Sequence, residues 1–359
     1  VVTQSEKLVQ KRPALPPRGT IAPRRPAIVW WAAVGAAAVA VQAFVFVTWF
    51  LSGEAKTTPT GADPVPTSTK FWAISIQSIS ILLFLGTAVL VVRQCRRRRV
   101  LTFDAVLVIA WCLSWWQDPI LNYLRPIFFY NAYLVNLGSW TSRIPGWQSP
   151  DGHLLAEPLF AASIYGWMLL TSMLTCAGMR WAKRHWPQIG VPGLVLSALA
   201  TMFIFDLLVE GLFVRTRLYS YAATVHDLSL WGDKPYHFPL YEPVLWGSVW
   251  ATVGMLRYFR DDKGRSMVEK GVDTMVASTR KKNVFRVLAV TGFINVVFVV
   301  LYNIPIQFFS LNVDKMPAHP TYLRSGLCGD DTAYPCPGPD VPVYLRGQPG
   351  PQSPTTTGR

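Results

Sequence analysis

Apolar residues in this chain neither alternate at the period of a strand nor mark one face of a soluble helix. They come in long blocks separated by short polar or proline-rich stretches. A block of about 20 such residues is long enough to cross the hydrocarbon core of a bilayer as a helix. Blocks of this kind fall at 28–51, 71–92, 102–121, 157–178, 190–214, 239–259 and 284–309. The pattern predicts an all-α membrane protein, a bundle of about seven transmembrane helices over 28–310, with a basic tail at 1–27 and a second tail at 311–359. The first block is rich in Ala and Gly, which lets neighbouring helices approach closely. It follows a Pro- and Arg-rich segment and is long enough to span, so it is expected to stay in place and not to be cleaved as a signal. The tail 1–27, and the Pro, Gly and Thr-rich stretch from 338 onward, are expected to be poorly folded. No internal repeat is visible, which counts against a repeat-built transporter.

Charge orients the bundle. The chain carries a net charge of +14, which invites a nucleic-acid reading until the positions are considered. With the N-terminus inside, the inner segments 1–27, 93–101, 179–189 and 257–286 hold six, five, three and nine Lys and Arg, 23 of the chain's 34. Positive residues collect on the inner side of membrane proteins, so topology explains the charge and no nucleic acid is required. The run Arg96-Arg97-Arg98-Arg99 fixes orientation and touches anionic headgroups. Acidic residues distribute the other way, 14 of 20 falling in outer halves or outer loops. An odd number of spans places the C-terminus outside, where a disulfide between Cys328 and Cys336 is allowed. Charged residues make up 15% of the chain, against roughly a quarter in soluble proteins. The expected location is therefore the cell membrane, multi-pass.

Ionisable groups inside a membrane are costly and each calls for a reason. Asp206 and Glu210, four apart on the fifth block, stack on one helical face. Two adjacent carboxyls in an apolar setting resist ionising together, so one is expected to hold its proton near neutral pH and act as a proton donor. The bland alternative is that they pair with an Arg or Tyr from another helix. Asp118 lies in Trp115-Trp116-Gln117-Asp118-Pro119, followed by Asn122, Tyr123 and Arg125. Asp118, Asn122 and Arg125 share helical spacing if the helix continues past Pro119, a kink site, and Arg125 could pair with Asp118 or with a carboxylate of the fifth block. Trp115 and Trp116 fit a pocket or an interfacial aromatic belt equally well. Glu157, Tyr241, Glu242, His237 and Asn303 complete the candidates.

Depth unites them: Asp118, Glu157, Asp206, Glu210 and Glu242 all fall in the outer half. The loops 122–156 and 215–238 are dense in aromatics, among them Tyr130, Tyr219 and Tyr221. A pocket of protonatable carboxyls ringed by aromatic faces suits protonation of a carbonyl, hydroxyl or alkene, with stabilisation of the resulting cation and exclusion of water. No Gly-flanked Ser nucleophile, Cys–His pair, phosphate-cradling loop, dinucleotide fingerprint or zinc spacing is present, so neither metal nor redox cofactor is expected.

The stretches Val92-Arg93-Gln94-Cys95 to Leu101-Thr102-Phe103-Asp104, Trp116-Gln117-Asp118-Pro119, Asn122-Tyr123, Phe129-Tyr130-Asn131 and Ile144-Pro145-Gly146-Trp147 resemble the membrane-bound spirocyclases of the AveC type, over roughly 28–325. That resemblance implies an enzyme of actinobacterial polyketide biosynthesis that closes a dihydroxy-ketone into a spiroketal through an oxocarbenium ion, some members also dehydrating the product. It assigns no catalytic residues. From the residues themselves, Asp206 and Glu210 are expected as the acid–base pair, with Asp118 and Glu242 as further acids. Asn122, Tyr123, Arg125, Trp116, Tyr130, Glu157, His237, Tyr241 and Asn303 are expected to bind a lipophilic small molecule reaching the site from the outer leaflet. An integral-membrane terpene-type cyclase would need a similar cavity. A proton-coupled transporter would need carboxyls across the whole bilayer, and the inner halves offer only Asp104. A non-catalytic scaffold leaves the Asp206–Glu210 pair unexplained.

Overall fold

Helices account for most of the computed structural model, which describes residues 26–330 and 332–351. The expectations for 1–25 and 352–359 lie outside the described residues. Nine α-helices occur among the described residues: α1 (Ala27–Leu51), α2 (Thr67–Arg98), α3 (Phe103–Cys112), α4 (Leu159–Trp167), α5 (Leu169–His185), α6 (Val191–Arg215), α7 (Tyr241–Tyr258), α8 (Thr279–Phe298) and α9 (Ile304–Leu311). Four helical stretches are long and apolar enough to cross a membrane: α1, α2, α6 and the continuous Thr279–Leu311. A fifth is added if α4 and α5, bent by 42° where they meet, form one span. Large apolar side chains face outward along them, including Phe44, Leu82, Leu196 and Leu208, as a hydrocarbon solvent permits.

The third and sixth expected blocks take a different form. α3 stops at Cys112 and the chain continues as a 3₁₀ helix, Trp115–Asn122, with Pro119 inside it. Pro119 has no N–H to donate, its ring clashes with the carbonyl four residues back, and it disfavours helical geometry at Asp118. The helical spacing expected of Asp118, Asn122 and Arg125 is therefore absent. α7 is only 18 residues long, and eleven of them are buried. It packs against α5 and α6 and touches α8, so it is shielded by protein instead of presenting a long apolar surface.

Contacts sort the connections into two ends. At one, Arg257 bonds Asp104 at 2.9 and 3.1 Å, Arg286 bonds the Leu101 carbonyl at 2.8 Å, and the Ile28 N–H reaches Lys270. This end carries the arginine run. At the other, Thr58 bonds Asn136, Asn131 bonds the Arg217 carbonyl, and Ala132 bonds Tyr322. α1 lies against α8 so closely that a Cβ on Gly35 would strike the Leu288 carbonyl, a contact only a small residue permits. Residues 312–330 and 332–351 run back over the loop end. Val313, Tyr322, Leu323 and Leu327 are buried there, Tyr334 bonds the Gln348 carbonyl at 2.6 Å, and Cys328 is disulfide-bonded to Cys336.

Candidate active site

Two short strands bring distant loops together at the loop end of the bundle. β1 (Phe129–Tyr130) pairs antiparallel with β2 (Tyr219–Ser220), Tyr130 opposite Tyr219. Strand side chains alternate between faces, so Phe128 and Tyr130 share a face with Tyr219 and Tyr221, while Phe129 and Ser220 point away. The four aromatic rings of the shared face pack at centroid distances of 4.9–5.8 Å. This ribbon covers one side of a narrow cavity of about 60 Å³ between α4, α6, α7 and the α8–α9 junction. Trp246 and Phe298, 4.7 Å apart, line its opposite wall.

Three carboxyls line the cavity, and each is held by tyrosine. Asp118 accepts from the Tyr130 hydroxyl at 3.0 Å and the Tyr165 hydroxyl at 2.9 Å. It is the least buried of the three. Glu157 lies against Asp118 within hydrogen-bonding reach, and a bond between two carboxyls requires a proton on one of them. Glu210 accepts from the Tyr221 hydroxyl, with Tyr219 alongside. Glu242 accepts from the Tyr302 hydroxyl at 2.9 Å and neighbours both Tyr221 and Glu210. Tyr302 owes its position to a π turn, Val299–Asn303, just before Pro305. Wider turns relieve the proline's clash with the preceding turn and occur often at functional sites.

Asp118, Tyr130, Glu210 and Glu242 are thus on the cavity wall, with Glu157 beside Asp118. Asp206 is fully buried one turn from Glu210, behind the wall, and neither of its oxygens has a protein donor. The other candidates are engaged elsewhere. Trp116 and Gln117 both bond Asn295, and Asn303 bonds Gln117 at 2.8 Å. Asn122 accepts from the Ile127 and Phe128 amides at 2.9 Å each and shapes the turn leading to β1. Tyr123 bonds the Gly146 carbonyl. Arg125 pairs with neither Asp118 nor α6. Its guanidinium donates instead to the carbonyls of Gly338 and Val341, at 3.2 and 2.5 Å, because the chain leaves the 3₁₀ helix toward the C-terminal segment. His237 bonds the Tyr221 carbonyl, and Tyr241 stacks on Phe309 at 3.9 Å.

Tyr165, Tyr302, Trp246 and Phe298 were not singled out by the sequence reading. The available signal was a tyrosine inside an apolar block, Ile164-Tyr165-Gly166 and Leu301-Tyr302-Asn303, whose hydroxyl must find a partner away from water.

The long apolar helices are those of a membrane protein, and between them lies a pocket lined by carboxyls, tyrosines and tryptophans. Residues 96–322, more than half of the chain, match the family described as Spirocyclase AveC-like, and the chain belongs to that family. The matched region contains every cavity residue named above. No curated protein and no solved structure matches the chain.

Proposed function

We propose that this protein is a membrane spirocyclase that closes a dihydroxy-ketone of polyketide type into a spiroketal by acid–base catalysis in the carboxyl–tyrosine cavity. The carrying observation is that Asp118, Glu210 and Glu242 line one aromatic-walled cavity and each accepts a hydrogen bond from a tyrosine hydroxyl. The Asp118–Glu157 pair holds a proton that can pass to the ketone oxygen as the first hydroxyl adds. The hydroxyl proton goes to a facing carboxylate, Glu210 or Glu242. The hemiketal hydroxyl then takes the proton held by Glu210 or Glu242 and leaves as water. The resulting oxocarbenium ion is stabilised by the faces of Trp246 and Phe298 until the second hydroxyl adds and gives up its proton to the Asp118–Glu157 pair. One water is lost, and the enzyme ends in its starting protonation state. The reaction is redox-neutral, so it calls for no electron carrier. Asp206, without contact to the cavity, supports Glu210 from behind instead of exchanging protons with substrate.

The proposal includes seven spans, counting α3 with its 3₁₀ extension, the bent α4–α5 pair and α7. The arginine-bearing end is cytoplasmic and the cavity lies in the outer half, as the positive-inside bias directs. Purified protein in micelles is the test, with a dihydroxy-ketone precursor and chiral chromatography of the product. One spiroketal isomer formed well above the spontaneous rate is expected. The background rate and isomer mixture would overturn the proposal.

A further inference from the structure

The strand that delivers Tyr219 and Tyr221 to Glu210 is held from its far side by histidines. Ser220 points away from the cavity, and its hydroxyl meets His319 Nε2 at 2.7 Å. The other nitrogen, His319 Nδ1, lies 2.6 Å from the Pro317 carbonyl. A carbonyl only accepts, so Nδ1 carries the proton, and in the neutral ring Nε2 accepts from Ser220. His237 Nε2 faces the Tyr221 carbonyl, so it too must donate. The backbone of 219–221 is thereby fixed at two successive residues by side chains from two different segments. Both imidazoles are buried, His237 fully and His319 at 7% exposure.

We propose that His237 and His319 are positioning residues for the cavity, clamping strand 219–221 from its far side and so holding the two cavity tyrosines against their carboxyls. The surroundings favour the neutral rings. The His237 ring centroid is 5.8 Å from His226 and 6.1 Å from His319, and Arg324 adds positive charge beside His319. The nearby acid, Asp314, is engaged by the His226 backbone N–H at 2.7 Å. A second imidazolium in this cluster therefore meets like charge at close range. Burial already holds His319 down to about 4 and lowers His237.

The catalytic consequence rests on the function proposed above; the clamp does not. Hydrogen–deuterium exchange of the purified full chain, read on peptides covering 217–223, tests it directly, with cyclisation assayed in parallel. Ser220→Ala and His237→Ala are expected to raise exchange there roughly tenfold, the loss of about one hydrogen bond. His237→Asn, which can still donate to the Tyr221 carbonyl, should restore protection. Where turnover is measurable, kcat should fall in step with protection. Exchange at 217–223 unchanged in both alanine variants would overturn the clamp. Changed exchange in a protein that does not cyclise would support the clamp and refute the spirocyclase reading.

Discussion

Replacing Asp118 by asparagine removes one proton site from the cavity while leaving its shape. Tyr130 and Tyr165 now meet the two different carboxylate oxygens, at 3.0 and 2.9 Å; the amide oxygen can still accept from one of them, and the amide N–H groups can donate to the hydroxyl oxygen of the other. Folding should therefore be little affected, and the loss should appear in chemistry. A positioned general acid or base contributes about 10²- to 10⁴-fold, equivalent to about 3–5 kcal/mol of barrier at about 1.36 kcal/mol per decade. Tyr130→Phe or Tyr165→Phe deletes one hydrogen bond to the same carboxylate, about 1–3 kcal/mol, and should cost roughly 10- to 100-fold. The expected order is thus Asp118→Asn worst, each tyrosine variant milder. The two tyrosine effects should be non-additive, because both act through one carboxyl. Initial rates of spiroketal formation by protein in micelles give kcat, and the thermal midpoint of each variant checks folding. An Asp118→Asn protein that folds normally and turns over within threefold of wild type would refute the assignment of Asp118 as a proton-transfer group.

The remaining predictions concern stability. Because the fold holds His319 near 4 against an ordinary value of about 6.5, the unfolded chain binds the extra proton first. Stability present above pH 6.5 is lost as pH falls toward 4, by about 3 kcal/mol at most; His319→Gln should flatten the thermal midpoint over that window, and an unchanged slope would discount the histidine. Glu269 is fully buried in an ion pair with Arg286 at 2.7 Å, so Glu269→Ala strands a buried cation and should cost about 3–5 kcal/mol, read as a lowered unfolding midpoint. Gly35→Leu drives a side chain into the Leu288 carbonyl and should lower stability by about 1–3 kcal/mol or more; a wild-type midpoint would show that α1 and α8 can part freely.

How far the sequence carried the structure depends on the range of each interaction. Long apolar runs act locally, and α1, α2, α6 and Thr279–Leu311 stand where hydropathy placed them. Pro119 interrupts the third block within a single turn, and α7 is protected by neighbours that no window of its own residues can register. The same division runs through the site. The four-residue spacing of Asp206 and Glu210 correctly puts both in the buried interior of α6. Which of them meets the cavity is set by helix rotation against α7, a tertiary quantity. The pairing of Phe129–Tyr130 with Tyr219–Ser220 joins segments some ninety residues apart, and only that pairing aims Tyr130 and Tyr221 at different carboxyls. Arg125 looked like a partner for Asp118 because the two are seven residues apart. Its actual acceptors lie more than two hundred residues away.

The Asp104–Arg257 pair at the arginine-bearing end has a consequence of its own. Both carboxylate oxygens are engaged by the guanidinium, at 2.9 and 3.1 Å, so the one acid in the inner halves of the expected spans is neutralised in place and is no stepping stone for a proton from that side. The proposed spiroketal closure asks for none: in that scheme every proton that leaves a carboxyl in the cavity is replaced there before the product departs. Turnover is then electrically silent, and its rate in sealed vesicles should be the same whatever voltage is imposed across the bilayer.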